Sequence, residues 1–240
     1  MSNFLKLFVG ELVRAKKYKI LAASLFLPFF WIVILELFAV KDLTEILPLL
    51  VYLDVTVMAM LFIGVTIMFE KQEKTLSTLM ITPIRRADYF LAKISVNLVS
   101  NVGSFTILFL YAKIFREVNI NILTILFSII IISVLHSSLG FIFATRVKDF
   151  TNLLVSIMVY SLIFALPVLF EEIGLINNEI IQNLMYMLPT KASLIVIMSS
   201  ISEVDFGVIF SVIYVILLTI ICLYINAKSF DQFIVKESGA

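Results

Sequence analysis

The chain has 240 residues, of which 62% are hydrophobic and only 15% charged, against roughly 45–50% and about 25% in a soluble domain. That excess of apolar surface is too large for one water-surrounded core and must face lipid. A net charge of +1 gives no footprint for nucleic acid or an acidic substrate, and the single cysteine, Cys222, excludes a disulfide framework or a cysteine metal site within the chain.

Residues 1–19 are basic and amphipathic. Within Asn3–Lys17, Phe4, Leu5, Phe8, Leu12 and Val13 gather near one helical face and Lys6, Arg14 and Lys17 near the other. This is the pattern of an interfacial helix lying on a membrane leaflet. No small-residue cleavage site follows the first apolar run, so a cleaved signal peptide is not expected. Six apolar runs come next, at about Ile20–Val40, Ile46–Phe69, Phe90–Phe115, Ile122–Thr145, Phe150–Phe170 and Phe206–Ala227. Each reaches the about 20 residues that a helix rising 1.5 Å per residue needs to cross about 30 Å of hydrocarbon. The runs are continuously apolar rather than alternating, which favours helices over a barrel. The expected fold is therefore an all-α membrane protein with six transmembrane helices in one domain, residues 1–240.

Of the 18 Lys and Arg residues, all but Lys41, Lys113, Arg116 and Lys191 fall on the side that holds both termini. The positive-inside bias makes that side cytoplasmic, in a multi-pass protein of the cell membrane. Segment 171–205 is then extracellular. Its start is too polar to span, while Leu194–Met198 is apolar, so a re-entrant hairpin dipping into the outer leaflet is expected, provided that protein covers its backbone.

Several polar residues lie inside spans. Asp54 is in the second, and Asn97, Ser100, Asn101 and Ser104 form a stripe along the third. His136 shares a small and polar face of the fourth with Ser133, Ser137, Gly140 and Ala144. Asp54, Asn97, Asn101 and His136 are candidates for a substrate path, since ionisable and polar groups in hydrocarbon mark function by default. The other reading is interhelical hydrogen bonding. Glu36 lies near the outer end of the first span, where exposure at the interface explains it.

The segment 70–93 joins the second and third spans. Leu76, Leu79 and Met80 recur at three- and four-residue spacing and share a helical face. Pro83 cannot continue a helix and biases Thr82 towards an extended conformation, so a short helix ends near Ile81. Glu70 and Glu73 precede it and suit its positive N-terminal end. A short charged helix tied to two spans passes a push from a soluble partner to both.

The string carried by Glu70, Thr75, Leu76, Leu79, Thr82, Pro83, Arg85 and Lys93 resembles the signature of ABC-2-type transporter permeases. The resemblance extends to the six spans, the N-terminal interfacial helix and the outer hairpin. It departs from the usual pattern at Lys74 and Ala92, where glycine is common, and at Ser77, where an acid is common. The stretch Leu188–Leu194 is similar to a drug-export subgroup of the fluoroquinolone type. The resemblance implies that the segment, with Glu70, Glu73, Thr75, Leu76, Leu79, Thr82, Pro83 and Arg85, is a coupling helix that docks on an ATPase. It also implies a permease subunit exporting a hydrophobic drug, peptide or lipid-like substrate alongside a second permease, identical or a paralogue. No phosphate loop occurs in the chain, so ATP and Mg²⁺ are expected on a separate P-loop ABC ATPase subunit, and no enzymatic activity in this one. The rivals are a secondary carrier using Asp54 or His136 and a peptide-immunity protein, both acting without ATP.

Overall fold

The computed structural model describes residues 3–75 and 85–238, with side chains to residue 230. Leu76, Leu79, Thr82, Pro83 and the short helix expected around them lie outside the described residues. The elements are α1 (Asn3–Lys17), α2 (Ile20–Leu37), α3 (Ile46–Gln72), α4 (Arg86–Phe115), α5 (Ile122–Arg146), α6 (Phe150–Glu172), α7 (Glu179–Met185), α8 (Pro189–Met198) and α9 (Phe206–Ser238). Among the described residues, six helices are long and apolar enough to cross a membrane. They are the six runs read from the sequence, and the chain is an all-α multi-pass membrane protein.

The helices start and stop for local reasons. The Asn121 side chain accepts the Leu123 and Thr124 amides at the start of α5, and Asp149 accepts the Asn152 amide at the start of α6. At the end of α3, the Lys74 amide reaches Lys71 O at 3.1 Å and the Thr75 amide reaches Glu70 O at 3.1 Å, with Lys74 at φ 54. That is a Schellman cap, whose left-handed position normally takes glycine. The same cap at Ala39 (φ 50) ends α2 three residues before the apolar run does. Two helices contain π-helical turns, Asp54–Met58 in α3 and Ser161–Ala165 in α6. In α6 the cause is Pro167, whose ring conflicts with the carbonyl four residues earlier.

The bundle is organised around α5, which packs against α3, α4, α6, α8 and α9. Its inward face is small and polar. A Cβ on Gly140 would stand 2.6 Å from Met60 O, so α5 and α3 approach backbone to backbone. Asn226 of α9 donates to Ser138 O at 2.9 Å. Peripheral α2 and α9 leave Phe26, Phe30, Val33, Ile213 and Leu217 exposed, as lipid-facing surfaces require.

α7 and α8 meet at 89°. Ser128 donates to Val196 O at 2.9 Å, and Thr190 donates to Phe164 O, a carbonyl in the π-turn of α6. Lys191 pairs with Glu171 at 2.7 Å. Thr190, Ala192, Ser193 and Leu194 are buried, so protein covers the backbone of α8.

Candidate functional site

Among the described residues, the largest cluster of buried charges lies at the end of the bundle that carries both termini. Three helices supply them: α1 brings Glu11 and Arg14, the last turns of α3 bring Glu70, and the first turns of α4 bring Tyr89 and Lys93. Lys93 Nζ lies 2.8 Å from Glu70 Oε1 and 3.0 Å from Glu11 Oε2. Arg14 pairs with Glu11 at 3.1 Å and also with Glu70. The Tyr89 hydroxyl donates to the second oxygen of Glu70 at 2.6 Å. The Lys93 side chain is 1% exposed and that of Glu70 3%. Two cations face two anions, so the network is electrically balanced, as burial demands. Phe90, Phe141 and Phe230 close it off through ring contacts with Tyr89.

Burial pushes the Glu11 carboxyl above its ordinary range, aided by the like charge of Glu70 and opposed by Lys93 and Arg14. The Arg14 guanidinium is held above its ordinary value although burial works against it, because Glu70 and Glu11 flank it. A second contact lies further out, where Tyr18 donates to Glu73, Lys17 pairs with Glu73 at 3.4 Å, and the Tyr18 ring stacks on Phe69 at 4.2 Å. Lys71 donates to Val147 O at 2.8 Å, holding the end of α3 against the α5–α6 turn.

Two findings add to the sequence reading. Glu70 is inside α3, turned inward and paired with Arg14 and Lys93. The apolar face of α1 is also divided. Phe8 and Leu12 pack inward beside buried Glu11 and Ala15, whereas Leu5 and Val13 point outward. Glu11 and Tyr89 were missed. The signal for Glu11 was a lone acid on a basic helix, three residues before Arg14. Of the other motif residues, Thr75 donates its hydroxyl to Glu70 O at 3.3 Å, and exposed Arg85 holds an extended conformation just before α4.

The four path candidates sit deeper and apart from this network. Asn97 donates to Ser137 at 2.6 Å and to Ala59 O at 3.2 Å, and Asn101 donates to Ser133 at 2.8 Å. The stripe on α4 thus stitches that helix to α5 and α3. His136 Nδ1 stands 3.0 Å from Ile132 O and Nε2 3.4 Å from the Tyr160 hydroxyl. Asp54, 4% exposed, has no ion-pair partner among the described residues, and Ser104 of α4 lies beside its carboxyl. A cavity of about 570 Å³ opens between α2, α3 and α6, walled by Phe26, Phe30, Phe62, Phe69 and Phe150, with Ser24 and Lys19 also in its lining.

A family model described as the fluoroquinolones export permease protein family matches residues 3–238. The chain is similar to proteins named Fluoroquinolones export permease protein from two strains of Mycobacterium tuberculosis, at 25% identity over 233 residues, covering 95% of both chains in each case. No solved structure matches.

Proposed function

Because this chain belongs to the fluoroquinolones export permease family, we propose that it is the membrane half of an ATP-driven ABC-2-type drug exporter. The observation that carries this reading is the buried network. Glu70 and Lys93 bracket the segment that resembles a coupling helix, and they are joined to each other and to α1. A displacement of that segment by a soluble partner is therefore delivered to α3, α4 and α1 as one body. The partner is a P-loop ATPase that carries ATP and Mg²⁺, and the assembly is completed by a second permease, identical or paralogous. The charge-rich end is cytoplasmic by the positive-inside bias, and α1 lies along that leaflet with Leu5 and Val13 towards the lipid.

ATP drives transport only if the ATPase binds it with different affinity in two states of the permease. The segment around Leu79 reads the ATPase state, and the network converts it into a change of span packing. An apolar drug enters the phenylalanine-walled cavity from the membrane side. The test is co-purification from native cells with the tagged chain as bait. A P-loop ATPase is expected with the wild type and lost with Leu79→Asp. Purification of the chain alone, or equal recovery of the ATPase with the variant, would overturn the reading.

A further inference from the structure

Among the described residues, Asp54 is a buried carboxylate that no cation neutralises. It lies in the π-helical turn of α3, 4% exposed. Ser104 of α4 approaches its carboxylate, and no ion-pair partner does so among the described residues. Elsewhere the described residues match their buried charges, Glu70 with Lys93 and Arg14, and Lys191 with Glu171. A lone carboxylate at this depth is costly unless a cation or a proton joins it in some state of the cycle. π-Turns also recur at functional sites.

Polar groups lead from the cavity to this carboxylate. Ser24, in the cavity wall, bonds Ser100 of α4 at 2.5 Å. Ser104 is one turn further along the same face of α4, beside Asp54. On α3, Met58 lines the cavity and stands one turn from Asp54. In this conformation a single helical turn separates the cavity from the carboxylate.

Resting on the export reading above, we propose that Asp54 is the charge-selecting subsite of the substrate path and that the substrates it selects are amphipathic organic cations. Their apolar body is held by the phenylalanine walls, and their positive group passes along Ser24, Ser100 and Ser104 to Asp54. Desolvated charge complementarity of this kind discriminates by charge more than by shape, so ligands of varied outline are accepted if they are cationic.

The experiment uses the full complex with its ATPase in proteoliposomes, with ethidium as the cationic probe and Nile red as an uncharged one of similar size. Asp54→Asn, isosteric and neutral, is expected to weaken ethidium binding and slow its ATP-driven export tenfold or more, while Nile red changes less than twofold. Asp54→Glu restores most of the ethidium activity. Equal handling of ethidium by the wild type and Asp54→Asn would overturn the subsite and leave the export reading standing. Failure of the wild-type complex to export either probe would overturn the export reading and the subsite with it. A measurement on the wild type alone avoids dependence on a variant's folding. Photolabelling with ethidium monoazide, followed by peptide mass spectrometry, is expected to mark α3 between Asp54 and Met58 and the facing turn of α4. Label confined to other helices, or a phospholipid held in the cavity that ethidium does not displace, would overturn the proposal.

Discussion

Glu70 and Lys93 are 23 residues apart in sequence and 2.8 Å apart in the fold. Removing one partner of a buried pair strands the other and costs about 3–5 kcal/mol. Lys93→Met is expected to destabilise the protein by about that amount, leaving Glu11 and Glu70 with only Arg14 between them. The double variant Glu70→Leu/Lys93→Met leaves Glu11 and Arg14 matched one to one. It should recover most of the loss, so the coupling in a thermal-unfolding cycle is expected to be at least as large as the single-variant loss, about 3–5 kcal/mol. Glu11 adds a dependence on pH. Its carboxyl is raised in the folded state, so the folded protein holds a proton that the unfolded chain releases. Stability therefore falls as pH rises from the ordinary carboxylate value towards the raised one, and levels off above it. Melting temperatures measured across that window should show the decline in the wild type and a flatter profile in Glu11→Gln. At this scale the sequence was partly legible. Glu70 and Lys93 stood out through a motif, but Glu11 and Tyr89 join them only because α1 folds back on α3 and α4, a long-range contact that no local spacing encodes.

The helices themselves were legible because lipid leaves the backbone few choices: a long apolar run must satisfy its own hydrogen bonds. The boundaries were less so. Runs of hydropathy do not show a Schellman cap, and α2 stops at Leu37 because Ala39 turns left-handed, although the apolar sequence continues. Lys74 shows the same physics from the other side. The related pattern has glycine there, and the cap at the end of α3 places this lysine at φ 54. Lys74→Gly is expected to stabilise the fold by roughly 0.5–1 kcal/mol. Lys74→Ala serves as the control for the side chain's own contacts and should give none of that gain. Denaturation of the two variants in one detergent would check it. The π-turn in α6 is traceable to Pro167, whereas nothing in the local sequence of α3 announces the one at Asp54. The stripe of Asn97 and Asn101 was open to two readings in the sequence. In the folded chain the amides of both donate to serines of α5.

Taken whole, the molecule has a polar, ion-paired end at α1, α3 and α4, a close-packed middle around α5, and an opposite end held by α8. Rigid contacts join these regions. Lys71 bonds the α5–α6 turn, Gly140 lets α5 meet α3, and Ser128 reaches the backbone of α8. A push at the charged end thus has a continuous route through α3 and α5 to the opposite end. If ATP on a partner subunit drives this route, export by the reconstituted complex depends on the network, and comparing the wild type with the double variant Glu70→Leu/Lys93→Met tests it. The double variant is expected to assemble with the ATPase and to hydrolyse ATP, while export falls at least tenfold. Export at the wild-type rate by the double variant, or export by the wild type without ATP, would contradict it.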